Sequence, residues 1–80
     1  MYCREGPESA YEAHYTVTNG QSLPALARWS NNWLLLGIND PAVTRTRCCW
    51  VGGNGSLNVP LDSLPLINYL PDRINCSLNP

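Results

Sequence analysis

The chain of 80 residues contains no lysine and no phenylalanine, and it has a single histidine. Its five basic residues are therefore all arginines, and its formal net charge is −1. A protein that binds the phosphate backbone of nucleic acids needs a dense row of basic side chains on one surface. The composition does not provide such a row, so we do not expect nucleic acid to be a partner.

Long apolar runs are also missing. A membrane-spanning helix needs roughly 20 consecutive apolar residues, and no segment of this sequence approaches that length. The first residues do not follow the charged-then-apolar pattern of a signal peptide either. The sequence therefore predicts no membrane span, and if its cysteines are oxidised we expect a leader to have been removed or replaced.

Recognisable catalytic patterns are equally scarce. His14 is the single histidine, and no serine lies in a nucleophile-elbow motif, so a Ser-His-Asp site has no support. Glu5, Glu8 and Glu12 are closely spaced carboxylates, but they lie in a polar segment that we expect to be solvated. Such a segment attracts a cationic peptide weakly, and salt screens the attraction. We therefore predict a non-catalytic protein without a cofactor.

Cysteine, in contrast, is plentiful, with four residues in a short chain. A domain of this size buries only roughly 60% of the surface of its unfolded chain, so its core alone gives marginal stability. Disulfides compensate for this in secreted, periplasmic and surface proteins. Zinc is the alternative use of cysteine, but there is no Cys-x-x-Cys pair, so we predict no metal site. The expected location is extracellular or at the cell surface.

The adjacent pair Cys48 and Cys49 lies in a segment that has the composition of a β-strand. Side chains of a strand alternate between its two faces, so each cysteine can hold a different distant segment. Cys3 and Cys76 are the partners that remain. Two pairings stay open on this reasoning, Cys3–Cys49 with Cys48–Cys76 and Cys3–Cys48 with Cys49–Cys76, whereas a bridge between the adjacent cysteines would be strained.

Strand patterns recur along the chain up to position 59. β-branched and aromatic composition, alternation and turn residues predict strands at 2–4, 15–18, about 22–29, 33–36, 43–51 and 56–59. Asn19-Gly20 predicts a tight hairpin turn between the second and third of these strands. In the third strand, Leu23, Ala25 and Ala27 are expected to share one face.

The last part of the sequence, residues 60–80, differs in composition from the rest. It is too apolar for a disordered tail and too rich in proline for a regular helix. We interpret it as an extended or single-turn C-terminal wrap that belongs to the same domain as residues 1–59.

Four short motifs occur in an order that resembles the bacterial SH3-type (SH3b) domain. They are Cys3-Arg4-Glu5-Gly6-Pro7 followed by Tyr11, then Gly20-Gln21-Ser22, Asn32-Trp33 and Cys49-Trp50-Val51. These resemble the Arg-x-Gly-Pro opening of the family with its following tyrosine, its Lys-Gly turn, its Gly-Trp and its Gly-Trp-Val. The resemblance covers about residues 2–59. The chain departs from the family in a longer segment at 43–47, the additional Cys48 and the segment after Pro60.

The resemblance implies an all-β fold, a small SH3-like barrel of five or six strands with a disulfide-tethered C-terminal segment. A secreted subgroup of the family has cysteines just before the arginine and just before the late tryptophan, which implies Cys3–Cys49 here and leaves Cys48–Cys76 to hold the C-terminal segment. The resemblance also implies a non-catalytic role in extracellular or cell-wall proteins, where such domains bind peptidoglycan or peptides.

Aromatic side chains are the natural contacts for a peptide or glycan, because rings offer large contact area at a small entropic cost. The candidate ligand-binding residues are Tyr11, Tyr15, Trp29, Asn32 and Trp50. Tyr11 and Trp29 lie beside polar turns and are the strongest candidates, whereas Trp33 and Trp50 lie in apolar strands, where core packing is favoured.

An alternative function follows from the apolar segment 60–80. This segment exceeds the needs of a minimal barrel and could pair with a strand edge of a neighbouring copy. The alternative is therefore a self-assembling structural or surface subunit.

Overall fold

The computed structural model describes residues 1–18, 23–30, 32–43, 46–52, 63–72 and 74–78. Five antiparallel strands form one sheet in the order β2-β1-β5-β4-β3. Their bounds are Tyr2–Arg4 for β1, Ala13–Thr16 for β2, Ala25–Arg28 for β3, Trp33–Gly37 for β4 and Cys48–Gly52 for β5. The predicted all-β class is confirmed. No helix in these ranges has the length and hydropathy needed to cross a membrane.

Two buried clusters lie on the two faces of the sheet. The first contains Cys3, Val17, Leu34, Leu36, Ile38, Cys49 and Val51. The second contains Ala27, Leu35, Cys48, Trp50 and Ile67. Successive residues of β4 and of β5 therefore alternate between the faces, as expected for a strand that is buried on both sides. The predicted divergence of Cys48 and Cys49 follows directly from this alternation.

Two disulfides connect these faces to distant parts of the chain. Cys3 is bonded to Cys49, with 5.3 Å between their Cα atoms, and Cys48 is bonded to Cys76, with 6.0 Å. The bridges close separations of 46 and 28 residues, which chain entropy values at about 3.5 to 4 kcal/mol each. Of the pairings left open by strand alternation, this is the one that the family resemblance implies. Two disulfides fit an oxidising environment.

The C-terminal segment, defined here as residues 63–72 and 74–78, adds to the outer edge of β3. The backbone N–H of Arg28 donates to the carbonyl of Pro65 at 2.9 Å, and the N–H of Ile67 donates to the carbonyl of Arg28 at 3.0 Å. Leu66 thereby forms a parallel bridge with Arg28. Ile67 is buried in the second cluster, so the segment covers both an edge and a face of the sheet.

The sheet order corrects the predicted hairpin. β2 and β3 lie at opposite ends of the sheet, so they do not form a hairpin with each other, and β2 pairs with β1 instead. Asn19-Gly20 and the predicted strand at 56–59 lie outside the described residues. The strand predicted from position 43 begins only at Cys48. The described strands form a single sheet, and its closure into a barrel stays a prediction.

A bulge in β3 corrects a second prediction. Ala25 pairs with Leu36 and Ala27 pairs with Leu35, so a step of two residues along β3 matches a step of one residue along β4. An extra residue inverts the alternation of side chains beyond it. Ala27 accordingly lies in the second cluster, whereas Ala25 packs against the first, and the prediction that they share a face is wrong.

Candidate functional site

The connection between β1 and β2, residues 5–12, is called here the acidic loop. It contains all three glutamates of the chain, Glu5, Glu8 and Glu12. Three hydrogen bonds fix its backbone: Glu5 N–H donates to the Glu12 carbonyl at 2.9 Å, Tyr11 N–H to the Glu8 carbonyl at 3.3 Å, and the Arg4 guanidinium to the Tyr11 carbonyl at 2.9 Å. The loop therefore holds a defined shape without a ligand.

Tyr11 lies on this loop with its ring against the backbone of Gly6. A Cβ atom built at Gly6 would lie 2.5 Å from three carbons of the ring, so only glycine leaves room for it. The residue is 37% exposed. The face of a tyrosine ring attracts ammonium and guanidinium groups. Tyr11 thus combines a fixed position with partial exposure on a loop that carries three glutamates.

His14 joins the acidic loop through a bulge in β2. Tyr15 pairs with Cys3 and Ala13 with Arg4, so His14 is the extra residue, and bulges redirect side chains. Its Nε2 atom lies 3.1 Å from a carboxylate oxygen of Glu5 and 3.4 Å from one of Glu12. The imidazole of His14 therefore lies between the two carboxylates, just beyond the paired residues of β1 and β2.

The grouping of Glu5, Glu12 and His14 was not predicted from the sequence. The position of Glu5 depends on the pairing of two strands, and the direction of His14 depends on a bulge that shifts their register. Their three donor atoms lie within 4.8 Å of one another, a spacing that a divalent cation can use. Exposed acidic groups commonly lie this close without an ion, and a cationic side chain suits them equally well. The four cysteines, the other donors considered, are all in disulfides.

Trp50 lies inside the molecule. It is 2% exposed, and its ring meets that of Trp29 edge to face, with 5.6 Å between the centroids. Trp50 therefore supports Trp29 from within and does not contact a ligand directly, which corrects its place among the candidate contacts. Trp33 also packs against the second cluster and is half-buried, in agreement with the expected core role.

Asn32 shapes the turn between β3 and β4. Its φ angle is 67°, in the left-handed region that asparagine tolerates better than most residues. Its N–H donates to the Trp29 carbonyl at 2.9 Å, and the Trp29 N–H donates to the Trp33 carbonyl at 2.8 Å. The exposed side chain stays available, but the backbone explains why asparagine stands here. Tyr15, in β2, is half-buried against the first cluster.

The two strongest candidates, Tyr11 and Trp29, lie at opposite ends of the sheet. One row of paired residues crosses the sheet from β1 to β3 and contains Arg4, Trp50, Leu35 and Ala27. Beyond this row β1 runs toward Gly6 and the Tyr11 ring, whereas β3 runs the opposite way toward Trp29. Along the sheet the two strands are also about 14 Å apart, since two others lie between them. Strand pairing therefore does not bring Tyr11 and Trp29 together.

Among the described residues, the acidic loop is the region that combines an exposed aromatic residue, a fixed backbone and three carboxylates, with Arg4 and His14 beside it. The environment of Trp29 instead consists mainly of core residues and the C-terminal segment. No protein family model, curated protein or solved structure matches the chain.

Proposed function

We propose that the chain is a non-catalytic binding module that acts outside the cytoplasm and recognises a peptide-like ligand of the cell wall through the acidic loop. The observation that carries the proposal is the Tyr11 side chain, held against Gly6 and partly exposed on a loop that carries three glutamates. The resemblance to SH3b domains supports the class of ligand. The charge of the loop adds that the ligand carries an ammonium or guanidinium group.

The fixed backbone of the loop supports a binding role. Loops that become ordered only on binding lose conformational entropy, which weakens affinity. Here three hydrogen bonds already hold residues Arg4 to Glu12. The individual attractions are small, about 0.5–1 kcal/mol for an exposed cation over a ring and about 0.2–1 kcal/mol for an exposed ion pair. We therefore expect weak binding to one peptide and stronger retention on a repetitive polymer.

The location and the barrel belong to the same proposal. Two disulfides in a short chain are typical of extracellular and cell-surface proteins. The order of the four SH3b-like motifs supports closure of the five-stranded sheet into an SH3-like barrel.

Sedimentation with purified peptidoglycan tests the function. We expect the oxidised protein to co-sediment, and Tyr11→Ala to weaken retention about fivefold, since about 1 kcal/mol is lost. The double variant Glu8→Gln with Glu12→Gln should weaken it further, and so should a rise in salt, because exposed charges are screened. Leu66→Ala is the control, since Leu66 is a 56% exposed side chain beside the opposite edge of the sheet, and this variant should keep the retention of the unmodified protein. Equal retention of Tyr11→Ala and Leu66→Ala, or no retention of the unmodified protein, contradicts the proposal.

Self-association is a second candidate, favoured by one observation. The C-terminal segment exposes three large apolar side chains, Leu66 at 56%, Leu70 at 48% and Ile74 at 62%. Exposed apolar groups that lie near one another are typical of protein contacts. If copies associate through this segment, light scattering will give a mass that rises with concentration, and Leu70→Ser with Ile74→Ser will lower it. A monomer at every concentration removes this candidate.

A further inference from the structure

The two edges of the sheet differ in a way that points to a ligand. The edge at β3 is covered by the chain itself, because Pro65 and Ile67 hydrogen-bond to Arg28. The edge at β2 has no such cover: in the ranges that the structure describes, no strand or bridge pairs with its outer side. An uncovered edge presents backbone donors and acceptors to which an extended peptide can add.

The hydrogen bonds of β1 with β2 identify the residue that faces outward. Met1 and Val17 exchange two bonds, from Met1 N to the Val17 carbonyl at 3.0 Å and from Val17 N–H to the Met1 carbonyl at 2.8 Å. In an antiparallel ladder the next pair does not exchange bonds. That pair is Tyr2 with Thr16, so the N–H and carbonyl of Thr16 point away from β1. Thr16 is exposed.

Arg28, at the β3 edge, shows how a residue with outward backbone groups is hydrogen-bonded by an added segment. Arg28 also presents one outward N–H and one outward carbonyl, and a three-residue segment bonds to both. Thr16 offers the same two groups at the opposite edge. A short extended segment is therefore enough to occupy it.

Charge defines which segment fits. β2 begins directly after Glu12, and the Glu5 N–H donates to the Glu12 carbonyl, so two carboxylates lie at one end of the β2 edge. His14 Nε2 lies 3.1 and 3.4 Å from them, so the ligand's basic group joins an existing cluster. Thr16 lies four positions after Glu12, which is about 13 Å along an extended strand. The bulge at His14 interrupts regular pairing at that end, so a side chain of the ligand rather than its backbone is expected there.

We propose that an extended peptide with a basic side chain adds to the outer edge of β2 as a further strand. Its backbone bonds to Thr16, and its basic group reaches the carboxylates of Glu5 and Glu12. The proposal rests on the function proposed above and specifies how the same peptide is held. The main-chain bonds supply affinity, and the basic side chain supplies specificity.

The test uses a synthetic probe, acetyl-Lys-Val-Thr-Val-Lys-amide, titrated into the oxidised, isotope-labelled protein and followed by amide NMR. Because the probe has a lysine at each end, one ammonium group lies near the carboxylates whether the peptide runs parallel or antiparallel to β2. We expect the largest shifts along β2 and slower hydrogen exchange at Thr16. Thr16→Pro should weaken binding about fivefold or more, because it removes the outward N–H, whereas Thr16→Ala keeps that N–H and should bind within about twofold.

Two modified probes keep the test valid if Thr16→Pro does not fold. One is N-methylated at the central threonine and the other at both valines. Neighbouring N–H groups of a strand point to opposite sides, so one probe should lose about fivefold or more in affinity and the other should keep it. If neither N-methylated probe binds more weakly than the unmodified peptide, or if both lose affinity equally, strand addition is overturned.

The outcomes also separate this inference from the function on which it rests. If probe binding falls with Tyr11→Ala but is unchanged by Thr16→Pro and by both N-methylated probes, the acidic loop remains the binding site and strand addition is wrong. Absence of any probe binding likewise overturns strand addition, while sedimentation with peptidoglycan decides the proposed function independently.

Discussion

At the scale of single residues, the glycine at position 6 determines where the Tyr11 ring can lie. In Gly6→Ala the new methyl group would sit 2.5 Å from ring carbons, so the ring must move. Overpacking of this kind costs about 1–3 kcal/mol. We therefore expect a lower urea midpoint and a weaker retention on peptidoglycan, close to that of Tyr11→Ala.

Gly52→Ala is the matched control for this substitution. A Cβ at Gly52 would lie 3.9 Å from the ring of Trp33, which is an ordinary contact. The free energy of unfolding of Gly52→Ala should therefore differ from that of the unmodified protein by less than about 0.5 kcal/mol. If Gly6→Ala leaves both stability and retention unchanged, the ring is free to move and its fixed position cannot explain binding.

Single residues also show which parts of the candidate site a sequence can reveal. The opposite directions of Cys48 and Cys49 were predictable, because alternation along a strand is a local property. The exposure of Tyr11 was not predictable in this way, because a polar turn leaves burial as open as exposure, and Trp29 beside another such turn is half-buried. The grouping of Glu5 with His14 was not predictable either, since it depends on which strands pair and on a bulge that shifts their register.

At the scale of elements, the C-terminal segment presents two adjacent residues in opposite environments. Ile67 is 7% exposed within the second cluster, whereas Leu66 is 56% exposed. Ile67→Ala should lower the free energy of unfolding by about 2–5 kcal/mol, as for other buried large-to-small substitutions. Leu66→Ala should change it by less than about 0.5 kcal/mol. Urea denaturation of both variants measures the difference.

Hydrogen exchange at Arg28 provides a second measurement of the same contact. Its N–H donates to Pro65, so it should exchange faster in Ile67→Ala than in Leu66→Ala. Equal losses of stability in the two variants would mean that Ile67 does not pack into the sheet as described.

Pairing between elements is where prediction from sequence was weakest. Most strand positions follow from composition, but partners do not, because pairing depends on contacts between residues far apart in the chain. β2 pairs back to β1 across the acidic loop rather than forward to β3. The apolar composition of residues 60–80 indicated a wrap along the fold, but nothing local indicated that Leu66 would form a bridge with Arg28.

At the scale of the whole molecule, the two disulfides differ in what they hold and in how exposed they are. Cys3–Cys49 links the neighbouring strands β1 and β5 inside the first cluster, with 0% and 3% of the two residues exposed. Cys48–Cys76 links β5 to the C-terminal segment, and Cys76 is partly exposed. A thiolate must reach a sulfur atom to open a disulfide, so exposure controls the rate.

We therefore expect a small dithiol at limiting concentration to open Cys48–Cys76 before Cys3–Cys49. Alkylation followed by mass spectrometry identifies the order. Loss of this bridge removes a constraint worth about 3.6 kcal/mol by chain entropy. The segment keeps two backbone bonds to Arg28, a bond from the Arg28 side chain to the Leu64 carbonyl, and the packing of Leu64 and Ile67 against the two clusters. Amides of the C-terminal segment should then exchange faster, while those of β1 and β5 keep their protection. Opening of Cys3–Cys49 first would mean that exposure does not set the order of reduction. A uniform loss of protection would mean that the segment and the sheet unfold as one unit.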